Sequence, residues 1–147
     1  MYRLVLLDKN KVGDWVAGQV GQTAGWGDFQ AFGVEDSSGE VIAGVVLHLF
    51  NGANCVSHIA IKKPTKLLKN LFFVVCTYTF VQCKLKRMTG MVPMSEKHII
   101  AFDEKIGFER ETVLKDAAND GDMQVLVMWA DKCPWIPKGD TDGRQKH

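Results

Sequence analysis

The stretch that decides the fold is SEKHIIAFDEKIGFE, residues 95–109. Ile99, Phe102 and Ile106 fall at i, i+3 and i+7 and form one apolar stripe at helical period. Ser95 has the chemistry of an N-cap, and Glu96 in the first turn suits the positive end of the helix dipole. At the other end Lys105 suits the negative pole, and Gly107 can take the left-handed conformation that stops a helix. Phe108 then opens an alternating run. The spacing therefore predicts a short amphipathic helix feeding a strand, just after a strand-like segment over 86–93.

Working outward, residues 2–7 read as a strand and Lys9–Val20 as a glycine-containing helix. Residues 29–35 and 41–50 are apolar runs separated by Asp36-Ser37-Ser38-Gly39, which predicts an antiparallel hairpin. Asn51-Gly52 predicts a second tight turn into a strand over 55–61. The longest helical candidate covers 65–82, with Leu68, Phe72, Val75 and Thr79 on one side and Leu67, Leu71, Val74 and Tyr78 on the next. Its β-branched and aromatic second half favours a strand instead, and its length favours the helix. Residues 108–116 and 123–130 flank Asn119-Asp120-Gly121 and predict a last hairpin.

With 147 residues, 46% hydrophobic, the chain fits one domain with a sizeable core, expected over 1–136, followed by a polar, disordered tail over 137–147. No apolar run approaches the ~20 residues of a membrane span, and a cytoplasmic protein is expected. Cys55, Cys76, Cys83 and Cys133 follow no C-x-x-C spacing, so they read as reduced packing residues and no metal site is expected. A net charge of +1 gives no whole-molecule attraction for nucleic acid. Lys62 to Lys69 with Lys84, Lys86 and Arg87 is the one local patch that could bind it, and nucleic acid is the weakest of the partner readings.

Helix, Glu104-Lys105-Ile106-Gly107-Phe108 and strand resembles the C-terminal signature of the GNAT family of N-acetyltransferases. The whole order of elements is similar to that family. From about Gly39 to Ile136 the chain more closely resembles small bacteriophage-encoded members, through Ile42-Ala43-Gly44, the Leu- and Phe-rich helix, Arg87, Gly107-Phe108, Asp120-Gly121, Met128 and Cys133-Pro134-Trp135. The resemblance implies an α/β (α+β) GNAT fold with a mixed, mostly antiparallel sheet of six to seven strands. It also implies acetyl-CoA as cofactor, a small-molecule or protein amine as acceptor, and a homodimer. If the source is viral, the location is the host cytoplasm.

The same resemblance places acetyl-CoA along Ile59, Ala60 and Ile61, where the fourth strand splays from the next, with Phe102 alongside. The family's phosphate loop carries glycines, whereas KKPTKLLKN at 62–70 has none. Lys62, Lys66 and Lys69 are the point charges that can replace its backbone donors. Their alternative is a solvated helix face. Many family members place a Tyr acid where this chain has Asp103, a poor donor unless burial raises its pKa. Ser95 or a bound water is the substitute acid, unless the thiolate leaves unaided. Strand parity sets Cys55, Ser57, Ile59 and Ile61 on one face and His58 on the other. Ser57 relaying to water is then the available base. His48 and His58 are either functional or ordinary strand residues. The acceptor side is assigned to Trp26, Asp28, His48 and Asn51. Because loop and acid both depart from the family, a non-catalytic GNAT-fold module that engages a protein partner is the second reading.

Overall fold

The computed structural model describes residues 1–139. The tail expected over 137–147 therefore lies, from 140 onward, outside the described residues. Seven strands form one sheet: β1 (Arg3–Val5), β2 (Phe29–Glu35), β3 (Val41–His48), β4 (Asn54–Ile61), β5 (Arg87–Pro93), β6 (Glu109–Ala118) and β7 (Gly121–Trp129). Their spatial order is β1-β2-β3-β4-β5-β7-β6, and every pair is antiparallel except β4 with β5. Three helices, α1 (Lys9–Val20), α2 (Leu68–Cys76) and α3 (Lys97–Ile106), cover the sheet.

The turns form through the side chains that the sequence offers. Asp36 Oδ1 accepts from the Ser38 amide, the Ser38 hydroxyl and the Glu40 amide at 3.0, 2.6 and 3.0 Å. Asn51 Oδ1 accepts from the amides of Ala53 and Asn54 at 3.0 and 2.9 Å. Both are short polar side chains standing in for a backbone turn.

The sheet separates two cores. On one face α1 covers Val5, Ala31 and Val46, with Val12, Val16 and Trp26 completing the cluster. The helix comes so close that a Cβ on Gly44 of β3 would lie 2.8 Å from Val16 Cγ2 and 2.9 Å from Val12 Cγ1. On the other face α2 and α3 bury the larger core, centred on Leu71, Phe80, Ile100, Leu126 and Met128. Cys55, Cys76 and Cys133 are buried and Cys83 is half-buried, all as free thiols.

Two helices differ from their sequence reading. The helix expected over 65–82 is α-helical only over Leu68–Cys76 and continues as a π-helix over Thr77–Gln82. There the Thr79 hydroxyl takes the Val75 carbonyl at 2.8 Å, an acceptor the backbone ladder would otherwise use, and the Cys83 amide reaches back five residues to Tyr78. A β-branched run with a competing hydroxyl is a place where an α-helix widens. In α3 the N-cap is Glu96, not Ser95, because the Ser95 hydroxyl donates to Asp120 Oδ2 at 2.6 Å. The helix is also rotated relative to its expected stripe: Ile100, Asp103 and Ile106 are its buried residues, while Ile99 and Phe102 are half-buried.

The parallel pair β4–β5 is where the sheet opens. Its register runs from Asn54 opposite Arg87 to Ser57 opposite Gly90, then stops. Beyond that point β4 follows β3 as far as Ile61, and β5 follows β7 as far as Pro93. Each strand keeps its antiparallel neighbour and the two diverge. The closed end is tied by Arg87, which grips Glu111 with two hydrogen bonds of 2.8 and 2.6 Å and donates to Thr89 Oγ1 at 3.1 Å. Thr89 in turn donates to Asn54 Oδ1 at 2.6 Å. Arg87 is therefore engaged within the sheet and is not part of a free basic patch.

Candidate active site

The splay leaves a cleft of about 630 Å³ between β4 and β5, floored by α3 and the β6–β7 turn. It passes through the sheet, so it receives residues from both faces. Ser57, Ile59, Ser95 and Asp103, four of the expected site residues, line it together.

The backbone of β4 presents unpaired groups here. The Lys62 amide donates to Ile42 of β3 at 2.7 Å, which by strand alternation turns the even-numbered residues of β4 toward β3. The amides and carbonyls of Ile59 and Ile61 therefore face the opening, and those of Ala60 face β3. Of the three residues expected to present backbone to a cofactor, Ile59 and Ile61 face the opening and Ala60 faces β3.

Asp103 is the most perturbed carboxyl of the cleft. Burial pushes its pKa from 3.8 up to about 7, because a carboxylate loses hydration there and no cation lies beside it. It can therefore hold a proton near neutrality. Ser57 is buried, and its hydroxyl donates to the Thr89 carbonyl at 3.3 Å. Its neighbour on the same face, Cys55, is a poor nucleophile, since burial pushes its thiol to about 12.

The cleft contains more acidic than basic side chains. Glu96, Asp103 and Asp120 line it, and no Lys or Arg is among its described lining residues. Glu96 and Asp120 read in the sequence only as cap and turn. His58 also lines the opening. Parity correctly put it on the opposite face from Ser57, but a gap between two strands is lined from both faces.

Other expected site residues lie elsewhere. Trp26 is buried beneath α1, its Nε1 donating to the Gly13 carbonyl at 3.0 Å. Asp28 is exposed in the loop before β2, His48 is buried beside Trp26, and the Asn51 oxygen is held in its turn. None of these four lines the cleft. Phe102 packs against Phe72 at 6.3 Å between ring centres. Lys66 and Lys69 flank the start of α2 in the chain and Lys62 follows β4, and α2 has no side-chain cap and no acidic residue in its first turn. Lys62 approaches only Glu40, at 4.0 Å and well exposed.

No protein-family model matches the sequence, and no curated protein does. Solved structures do. A variant of the spermidine N-acetyltransferase SpeG from Vibrio cholerae superposes with a TM-score of 0.71 at 15% identity, covering 89% of this chain and 95% of that one. A second variant gives 0.69 at 16%, over 90% and 96%. The dodecameric form of the same enzyme, in an intermediate state, gives 0.69 at 15%, over 89% and 95%.

The chain has the GNAT fold.

The loop at 62–70 carries Lys62, Lys63, Lys66 and Lys69 and no glycine. Among the described residues no group of three or more His, Cys, Asp or Glu side chains is arranged to hold a metal ion. No helix among them is long and apolar enough to cross a membrane.

Proposed function

We propose that the protein is an acetyl-CoA-dependent N-acetyltransferase acting on a small cationic amine. The observation that carries this reading is the cleft at the β4–β5 splay, lined by the acidic residues Glu96, Asp103 and Asp120 and by no described Lys or Arg. Such a lining favours an ammonium group over an anion. The similar Vibrio cholerae enzymes are named for spermidine, which makes spermidine the first acceptor to test.

The residues present fit acetyl-CoA. The unpaired backbone of Ile59 and Ile61 suits an amide-bearing arm, and Lys62, Lys66 and Lys69 beside the uncapped start of α2 suit its phosphates. When bound, acetyl-CoA supplies the thioester whose acetyl group is transferred. Asp103 acts as general acid: it keeps its proton to about pH 7, whereas a thiol keeps one to about 8.5, so donation to a departing thiolate runs downhill. Ser57 holds a water at the mouth of the splay, and Glu96 and Asp120 draw the cationic acceptor in. Ser95, which donates to Asp120, fixes that carboxylate.

Isothermal titration with acetyl-CoA tests the reading. Micromolar binding is expected, and the combined variant Lys62→Ala/Lys66→Ala/Lys69→Ala weakens it by about tenfold or more, the loss of charge-assisted phosphate contacts. A folded protein that shows no binding would sink the enzyme reading and favour the partner-binding module.

We also read β6 as the site of self-association. It is the last strand of the sheet, exposed along most of its length, with Val113 and Leu114 at 46% and 40% exposure. An unpaired edge of this kind is a template for a second strand. Sedimentation velocity is expected to give twice the chain mass, and Val113→Lys/Leu114→Lys to give the monomer. A monomeric parent protein would refute it.

A further inference from the structure

A second cavity, of about 600 Å³, opens beside the start of α2 and shares no lining residue with the cleft. Its walls are Tyr2, Pro64, Thr65, Lys66 and Leu67. The sheet explains why the first residues of the chain meet this loop. Leu4 stands opposite Val34, Val34 opposite Ala43 and Ala43 opposite Ile61, so β1 begins and β4 ends at one border of the sheet. Leu4 packs against the larger core, on the face that α2 covers, and Tyr2 falls on the same face by alternation.

The cavity combines an apolar ring with a cation. Tyr2 is 42% exposed, and among the described residues its ring stacks on no other ring. The loop wall is fixed by its own chemistry. Pro64 locks its φ, the Thr65 hydroxyl accepts from the Leu67 amide at 3.2 Å, and the Thr65 carbonyl accepts from the Leu68 amide at 3.2 Å. Lys66 is the charged residue of the lining, and no Asp or Glu joins it. The run 62–70 adds Lys62, Lys63 and Lys69 and again no acid. A matching ligand carries a planar apolar ring and, within a side chain's reach of it, negative charge. A nucleoside phosphate has both; a polyamine has the wrong charge, and a fatty chain has no anion.

We propose that Tyr2 is a nucleobase platform: the purine of adenosine 3′,5′-bisphosphate, the far end of a CoA thioester, stacks on it in this cavity while Lys66 holds a phosphate. The choice of ligand rests on the N-acetyltransferase reading, and the site rests on the cavity and its lining. Lys66 belongs both to the cavity and to the loop assigned to the cofactor's phosphates, so ring and phosphates meet one continuous surface. Stacking accepts the face of any base and needs no hydrogen-bond readout. Tyr2 therefore sets affinity for the nucleotide half and takes no part in acetyl transfer. Its loss raises the KM for acetyl-CoA and leaves kcat unchanged.

Isothermal titration of the full-length protein with adenosine 3′,5′-bisphosphate, which has no thioester, is the test. The parent is expected to bind it, Tyr2→Ala to weaken binding about tenfold, the worth of one stacked base, and Tyr2→Phe to retain it. Equal binding by Tyr2→Ala and the parent, or none by the parent, would overturn the proposal. So would an equal loss for pyrophosphate, which has charge and no ring, or tighter binding of ATP, which would assign the cavity to free nucleotides. Tyr2 lies before β1 and is exposed, so Tyr2→Ala is expected to keep the parent's thermal midpoint. The parent alone gives a second readout: the bisphosphate is expected to shift the Tyr2 ring and Leu67 methyl protons upfield in NMR, and unmoved signals would refute the stacking. A Tyr2-dependent bisphosphate site in a protein that binds acetyl-CoA no more tightly would support this inference and remove the acetyltransferase reading. Tight acetyl-CoA binding indifferent to Tyr2→Ala would do the reverse.

Discussion

Asp103→Asn is expected to lower kcat by about 10²-fold and, at the same time, to make the protein more stable at pH 8. Both effects come from one fact, the burial of an ionisable carboxyl without a compensating cation. As an acid, Asp103 has its proton available up to about pH 7, so wild-type turnover falls on the alkaline side as that proton is lost. The Asn variant keeps shape and polarity but has no proton to give. Its residual rate should show no such limb.

The stability sign follows from linkage. Asp103 titrates at about 7 in the folded chain, against 3.8 as its ordinary value. Between those pH values the folded state holds a proton that the unfolded state has lost, so stability decreases as pH rises, and the penalty is complete above about 7. At ~1.4 kcal/mol per pH unit across that interval, the full penalty is on the order of 4 kcal/mol. Asn does not ionise and escapes it. Urea midpoints measured near pH 4 and at pH 8 check this: similar values for both proteins at the lower pH, and a higher midpoint for the variant at the upper. Equal midpoints at pH 8 would mean that Asp103 ionises freely, and the acid role would fall with it.

The second large effect is expected at Gly107→Val, with a loss of about 3 kcal/mol in folding stability. The residue ends α3 at φ 124°, a conformation that costs a β-branched side chain on the order of 1–3 kcal/mol. A Cβ there would also meet Pro134 Cδ at 2.9 Å and Met128 Cε at 3.3 Å, and forcing extra carbon into a packed site adds ~1–3 kcal/mol. The segment it would displace carries Trp135, whose Nε1 donates to the Ile106 carbonyl at 2.7 Å and caps the same helix end. A denaturant midpoint unchanged from wild type would show that the Gly-Phe step tolerates side chains and is not the anchor described here.

What was legible in the chain was whatever local chemistry encodes. Gly107 and Phe108 marked the end of α3, Asp36 and Asn51 marked their turns, and alternation marked the strands around Asn119-Asp120-Gly121. Each signal acts within a few residues, through a cap, a turn hydrogen bond or a side-chain period, so each survives without knowledge of the rest. Local signals failed where two of them competed. The Thr79 hydroxyl widened a helix that apolar spacing had drawn as regular, and Ser95 abandoned its cap for Asp120, a residue remote in sequence.

By itself, then, the sequence determined the order of elements, the positions of the turns and the face on which each strand residue lies. Tertiary structure decided the site. The cleft exists because β4 stays with β3 while β5 stays with β7, a divergence written in no single segment. That opening joins Ser57 and His58 from opposite faces of one strand, and buries Asp103 far enough to hold a proton at neutral pH. Trp26, assigned from the sequence to the acceptor side, packs instead over a histidine pair that neither strand encodes alone. The physical reason is range: capping and turn hydrogen bonds act between near neighbours in the chain, whereas desolvation and proton sharing depend on every group that folding brings close.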